Sequence, residues 1–362
     1  MGGGEIAFVN EAFDTNWVAP LGPNVTGFEG DLEGYLGNDM NVAVLSSGTA
    51  AIHLGLKLLG VGQGDEVLCQ SFTFAASANP ITYLGASPIF IDSEATTWNI
   101  SPELLEKAIN QRLSEGKKPK AIITVHLYGM PYKVKEIHAI ARHYDIPVLE
   151  DSAEALGSTF NNRPCGTFGD IAILSFNGNK IITTSGGGAL VSPRKEIRDK
   201  AIFLATQARD NAPHYQHSEI GHNYRMSNVL AGIGRGQMQV LDERIHARRR
   251  NYDYYVKSLQ SIDGISFLAE PEGMFSNRWL SCILTPSFTI REKIRLALDE
   301  ENIESRPLWK PMHMQPVFQK GMHFTNGTSE DLFNRGLCLP SGSNLLQEDL
   351  ERIVEIIKTV LL

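Results

Sequence analysis

A chain of 362 residues can hold one large and one smaller domain around a substantial core. With 42% apolar and 20% charged residues it is globular, and a formal charge of -8 argues against a nucleic-acid-binding surface. The four cysteines, Cys69, Cys165, Cys282 and Cys338, show no CxxC spacing and no neighbouring histidine cluster, so no metal site is expected, and reduced thiols in a cytoplasmic protein are.

No run of about eighteen apolar residues is present, so no membrane-spanning helix is expected. The start Met1-Gly2-Gly3-Gly4-Glu5 lacks the basic stretch and apolar run of a secretory signal. Residues 1–40 are mixed, and Asn16-Trp17-Val18-Ala19-Pro20-Leu21-Gly22-Pro23, with two prolines and a glycine, reads as an ordered loop. Residues 42–45 then read as a strand. Ser46-Ser47-Gly48-Thr49 is a turn, and a helix follows with Ile52, Leu56 and Leu59 on one face. A small-residue turn between strand and helix is an anion site, because free backbone N–H groups and the positive helix end favour phosphate. A plain serine N-cap has the same appearance.

Further strands are expected over 66–69, 88–92, 121–125 and 147–149. Helices alternate with them: one entered through residues 71–77, one opening at Pro102 with Ser101 as its N-cap, and one over 133–144. The alternation argues an α/β architecture, a mainly parallel sheet covered on both faces with ligands beyond the carboxyl ends of its strands. The strand ending at Leu149 runs into Glu150-Asp151-Ser152-Ala153-Glu154-Ala155-Leu156-Gly157. Asp151 is placed there either to meet a ligand or to cap a following helix, and both roles keep it ionised.

Residues 171–174 read as a buried strand leading into Ser175-Phe176-Asn177-Gly178-Asn179-Lys180, with Gly186-Gly187-Gly188 just beyond. A lysine past a strand end can point its amine into a crevice, and an amine partly desolvated there loses basicity and attacks carbonyl carbon. Taken alone, the same lysine reads as an ordinary solvated one. Residues 194–206 read as a helix and 207–225 as a polar loop, long enough to suggest function. One long helix is expected from Asn228 toward Ser258, with the basic run 244–250 as a solvated face. Strands at 265–268 and 279–285 and helices at 290–301 and 347–362 then suggest a smaller α+β domain over 250–362, after a large domain over 1–249. Within it, Ser305-Arg306-Pro307-Leu308-Trp309-Lys310-Pro311-Met312-His313 crowds an indole among cations, which suits a nucleotide diphosphate.

Lys180, Asp151 and the Gly48-Thr49 helix start come from different βα loops and can converge at one sheet edge. Together they offer what pyridoxal phosphate needs: an amine for a covalent link, a carboxylate for the pyridine nitrogen and a phosphate cup. Phe74 follows a strand where its ring can lie over the pyridine. Ser47-Gly48-Thr49-Ala50-Ala51, Thr73-Phe74, His126-Leu127-Tyr128-Gly129, the 150–157 stretch, the lysine loop and Asn223-Tyr224-Arg225 resemble, over nearly the whole length, the fold-type I pyridoxal phosphate-dependent nucleotide-sugar aminotransferases, the DegT/StrS-like family. The stretches 177–188, 277–281 and 306–313 look most like the bacterial UDP-4-keto-sugar aminotransferases of bacillosamine biosynthesis. Members of the family usually carry several residues, with a proline pair, ahead of the Met1-Gly2-Gly3 start.

The resemblance implies a three-layer fold-type I large domain with a mainly parallel sheet and a smaller C-terminal α+β domain. It implies an aminotransferase that takes its amino group from L-glutamate, releases 2-oxoglutarate, and aminates C4 of a UDP-4-keto-6-deoxy-N-acetylhexosamine for protein glycosylation. Other nucleotide sugars, GDP-4-keto or 3-keto, remain open. A sugar dehydratase of the same fold is disfavoured, because those relatives carry histidine where Lys180 stands. By the same resemblance Lys180 and Asp151 are catalytic, while Gly48, Thr49, Phe74, Asp151, Glu154, Ser175, Asn177, Lys180 and Asn223 hold the cofactor. Asn223 and Arg225 would arrive from the second subunit of a homodimer with shared active sites. Val18, Ala19, Pro20, Leu21, Arg225, Pro307, Leu308, Trp309, Lys310 and His313 would contact the nucleotide sugar.

Overall fold

The computed structural model describes residues 1–37 and 39–361. Its main sheet has eight strands in the order Asn41–Leu45, Gly188–Ser192, Ile171–Ser175, Val148–Asp151, Ala121–Val125, Glu66–Gln70, Ser87–Ile91 and His323–Phe324. From Ile171–Ser175 to His323–Phe324 the neighbours are parallel, and Gly188–Ser192 is antiparallel to both of its partners. This is the fold-type I arrangement, with helices on both faces.

The strands read as unbroken apolar runs because both faces are buried. Ile171 and Ile173 enter one core with Ile52, Leu54 and Leu204, while Ala172 and Leu174 enter another with Phe28, Leu32 and Ile245. Helix starts follow the sequence closely. The Ser101 hydroxyl accepts from Leu104 N–H at 3.3 Å, and Ser47 caps the helix Gly48–Leu58 by accepting from Ala50 N–H at 3.0 Å.

Residues 1–40, which gave no regular pattern, contain two helices, Glu5–Asp14 and Pro23–Leu36, on either side of the expected loop. The single helix expected from Asn228 is two, Asn228–Met238 and Leu241–Leu259, with Val240 outside helical geometry between them. The first of these packs on Glu5–Asp14 so closely that a Cβ at Gly236 would lie 2.6 Å from the Glu5 backbone. The second turns away toward the C-terminal part, so its basic run is not the solvated face expected. Arg248 is buried and donates to the Trp279 carbonyl, and Arg249 pairs with Glu270 at 2.6 Å.

The C-terminal residues build a four-stranded antiparallel sheet, Ser266–Phe267, Ser281–Leu284, Gly336–Leu339 and Arg306–Pro307 in that order. The helices Leu241–Leu259, Phe288–Glu300 and Gln347–Leu361 share one core with it through Tyr255, Ile294 and Ile353. Among the described residues no helix is long and apolar enough to cross a membrane.

One close approach fixes the turn before the helix Gly48–Leu58. A Cβ on Gly188 would lie 2.4 Å from both the Gly48 nitrogen and the Ser47 carbonyl carbon, backbone atoms that cannot swing aside. Gly188→Ala is therefore expected to cost about 3 kcal/mol, read as a lower unfolding midpoint in denaturant. Gly62→Ala, where the added carbon meets open space, should leave that midpoint unchanged.

Candidate active site

The carboxyl ends of the parallel strands open into a cavity of about 920 Å³. Gly48, Thr49, Phe74, Asp151, Glu154, Ser175, Asn177, Lys180, Pro307, Trp309 and Lys310 all line it, although they come from five separate stretches of chain.

Lys180 lies in the irregular segment between the strands Ile171–Ser175 and Gly188–Ser192, and its side chain turns inward with little exposure. Nζ donates to Glu154 Oε1 at 3.2 Å and stands 4.2 Å from the centre of the Trp279 ring. An ammonium above an indole face is held by the ring quadrupole. Trp279 carried no site role in the sequence. It is buried, and its indole N–H donates to the Asn179 carbonyl at 2.8 Å, so the ring is tied to the residue before the lysine. The Asn277 carboxamide fixes this wedge from behind. It donates to the Glu154 and Leu156 carbonyls at 2.8 and 2.9 Å and accepts from Trp279 N–H at 2.9 Å.

Asp151 ends its strand and is buried. Oδ2 accepts from the Ser77 hydroxyl at 2.6 Å and Oδ1 from Ala153 N–H at 3.1 Å. Ser77 in turn meets Thr73 at 2.7 Å. No helix follows Asp151, so the capping role is absent. Burial raises the Asp151 carboxyl above its ordinary value, offset only in part by Ser77, Ala153 and the Lys180 ammonium. The bare site thus works against the charge, and a cation placed opposite would favour it. Glu150, next in chain, points the other way. Burial opposes its charge, yet bonds from His126 and from the Gly166 and Gly169 N–H groups hold its carboxyl below the usual range. It ties the loop 166–169 to the strand.

Burial pushes Glu154 up to about 7, against the pull of the Lys180 ammonium and the Tyr128 N–H. Glu154, whose Oε1 accepts from Lys180 Nζ at 3.2 Å, thus titrates near neutral pH beside the amine. A carboxyl whose folded value exceeds its ordinary 4.5 stabilises the fold below that value and loses the contribution as pH rises through about 7. Denaturant unfolding of the cofactor-free protein at a series of pH values should show a decline across that window on the order of 3 kcal/mol steeper than in Glu154→Gln. Equal slopes in the two proteins would contradict the assignment.

The donor set fits pyridoxal phosphate. The Gly48 and Thr49 N–H groups open the helix and have no partner inside it, and Ser175 and Asn177 stand beside them on the cavity wall. A Cβ at Gly48 would come within 3.1 Å of the Ser175 Cβ, narrowing the cradle where a phosphate would sit. Phe74 is 58% exposed at the cavity mouth and meets Trp309, ring centres 5.5 Å apart.

Other expected contacts lie elsewhere in this chain. Leu308, expected to touch the nucleotide sugar, is buried in the core, and its N–H donates to the Gly336 carbonyl at 3.0 Å. His313 is likewise turned away, bonded through Nδ1 to Ser71 at 2.6 Å and through Nε2 to Glu330 at 3.2 Å. Arg225 donates to Glu29 at 2.6 Å and to the Val44 carbonyl at 2.8 Å. Asn223 is exposed, and the loop with Val18, Ala19, Pro20 and Leu21 does not reach this chain's own cavity.

The model of the DegT/DnrJ/EryC1/StrS aminotransferase family matches residues 1–358. EpsN of Bacillus subtilis (strain 168), named as a pyridoxal phosphate-dependent aminotransferase, is 51% identical over 361 residues, 99% of this chain and 93% of that protein. A GDP-perosamine synthase of Escherichia coli O157:H7 is 37% identical over 354 residues, 98% of this chain and 94% of that protein. The crystal structure of a DegT DnrJ EryC1 StrS aminotransferase from Brucella abortus superposes with a TM-score of 0.92 at 29% identity, covering 99% of this chain and 95% of that one.

Proposed function

Because the chain belongs to the DegT/DnrJ/EryC1/StrS family of pyridoxal phosphate-dependent sugar aminotransferases, we propose that it transfers an amino group from L-glutamate to C4 of a nucleotide-linked 4-keto-6-deoxy sugar. The observation that carries this reading is the convergence of Lys180, Asp151 and Glu154 with Trp309 and Lys310 in one cavity.

When bound, the cofactor supplies an electron sink for breaking and remaking a C–H bond beside nitrogen. The chain does the rest. Gly48, Thr49, Ser175 and Asn177 would hold the phosphate, and Asp151, braced by Ser77, would pair with the pyridine nitrogen and keep a proton there. Lys180 Nζ would hold the cofactor covalently and would carry the proton to and from the reacting carbon. It works from one fixed side because Trp279 and Glu154 limit where it can swing.

At the outer end, Trp309 offers a flat face and Lys310 a positive charge to a nucleotide diphosphate. The stretches 277–281 and 306–313 favour a UDP-linked N-acetylhexosamine, as in a bacillosamine-type route. Relatives named GDP-perosamine synthase favour a GDP-linked sugar. We take the large domain as 1–249 and the smaller as 250–362, with the boundary inside the helix Leu241–Leu259 and the strand His323–Phe324 returning to the main sheet. A homodimer would bring Asn223, Arg225 and the 18–21 loop to the partner's cavity, and the exposed Val18 and Leu21 side chains support that docking. Glutamate with a panel of UDP-4-keto, GDP-4-keto and 3-keto sugar nucleotides tests the choice. The first reading expects amination of the UDP-4-keto sugar, and turnover with the GDP sugar alone would replace it by the second.

A further inference from the structure

Cys282 and Cys338 face each other across two antiparallel strands of the small sheet. Thr285 N–H donates to the Arg335 carbonyl at 3.0 Å, so those two residues form a hydrogen-bonded pair. Such pairs alternate along a ladder, which makes 282 and 338 a non-hydrogen-bonded pair, the kind whose Cα atoms stand about 4.5 Å apart. That spacing lies inside the range a disulfide spans, about 4.4–6.8 Å. The two Sγ atoms are already 3.8 Å apart, and both thiols are free.

Two observations separate this pair from ordinary core cysteines. Cys338 lines the large cavity, so a small solute can reach one member without unfolding the chain. Its strand is also bonded on the other edge to Arg306–Pro307, with Arg306 in register with Cys338, and that strand runs directly into Trp309 and Lys310 on the cavity wall. Cys282 lies on the inner side, beside Tyr128, Met130 and Leu268, where burial pushes its thiol well up. Cys338 is therefore the thiol that meets a reagent first.

We propose that Cys282 and Cys338 form a modification site in the cavity wall, closed to a disulfide by a hydroperoxide and reopened by a thiol reductant. Cys338 Sγ attacks the O–O bond, water or an alcohol leaves, and a sulfenic acid forms. Cys282 Sγ then displaces that hydroxyl as a second water. The two thiols give up two electrons, which cleave the O–O bond, and their two protons leave in the products. Closure brings the sulfurs from 3.8 Å to about 2.05 Å. It draws the strand Gly336–Leu339 toward Ser281–Leu284 and carries Arg306–Pro307 with it, which shifts Trp309 and Lys310. Displacements of this size at a reacting site cost up to about a hundredfold in rate.

The experiment treats the full-length protein with hydrogen peroxide, maps its peptides without reduction, and follows aminotransfer before and after dithiothreitol. The expected result is one crosslinked peptide pair, Cys282 with Cys338. Turnover should fall by about tenfold or more and return with reductant, and Cys282→Ser should show neither the bridge nor the reversible loss. Peroxide-treated protein in which Cys338 is unmodified, or carries a sulfinic acid with Cys282 still free, would overturn the proposal. So would bridged protein with full turnover. The peptide map on the unmutated protein decides the bridge even if Cys282→Ser misfolds, and it does so independently of which sugar the enzyme uses.

Discussion

Lys180→Ala is expected to lose turnover by at least about four orders of magnitude and to lose covalent retention of pyridoxal phosphate altogether. Alanine removes the amine that would both bond the cofactor and return a proton to substrate carbon, and Lys180 is the lysine that pairs with Glu154 among the described residues. Lys180→Arg sharpens the test. A guanidinium keeps the positive charge beside Glu154 and above Trp279, yet it does not give up its proton and cannot serve as a nucleophile. The arginine variant should therefore be as inactive as the alanine variant while folding as well as the parent. Near-parental turnover in either would remove Lys180 from the chemistry.

Asp151→Asn should cost about 3–5 kcal/mol, a loss of roughly two to four orders of magnitude in rate. The amide is almost the same size and can keep the Ser77 contact, so the fold is preserved. What goes is the negative charge that holds a proton on the pyridine nitrogen, and the buried position leaves no solvent to replace it. Ser77→Ala removes one neutral donor from a charged acceptor and should cost about tenfold. The ratio between these two variants separates charge from positioning. Steady-state kinetics at saturating cofactor reads both, and an Asp151→Asn enzyme within a fewfold of the parent would refute the pairing.

The parts legible in the sequence were those that sit next to one another along it. Asp151 follows a strand directly, Gly48-Thr49 follows a strand and opens a helix, and Lys180 lies in the irregular stretch just past one. Local pattern and site position therefore coincide. Phe74 and Trp309 were legible as aromatic residues in stretches with no apolar period. The parts that were missed depend on contacts between distant stretches. Trp279 reaches Lys180 from 99 positions away, and nothing around it distinguishes a site residue from a core one. Its backbone partner Arg248 looked solvated because a helix pattern cannot say what packs on its outer face. Leu308 and His313 sit beside cavity residues in chain order, but Leu308 packs into the core between Pro307 and Trp309, and the tight turn Met312–Met314 aims the His313 ring at Ser71 and Glu330. The break at Val240 has no proline or glycine beside it to announce it.

Lys180 and Lys310 both line the cavity, and the proposed chemistry requires that Lys180 carries the cofactor. Loading the protein with pyridoxal phosphate, locking the lysine–cofactor link with borohydride and sequencing the modified peptide by mass spectrometry decides between them. The pyridoxyl phosphate should be found on Lys180 alone. Its presence on Lys310, or its absence from both, would contradict the account.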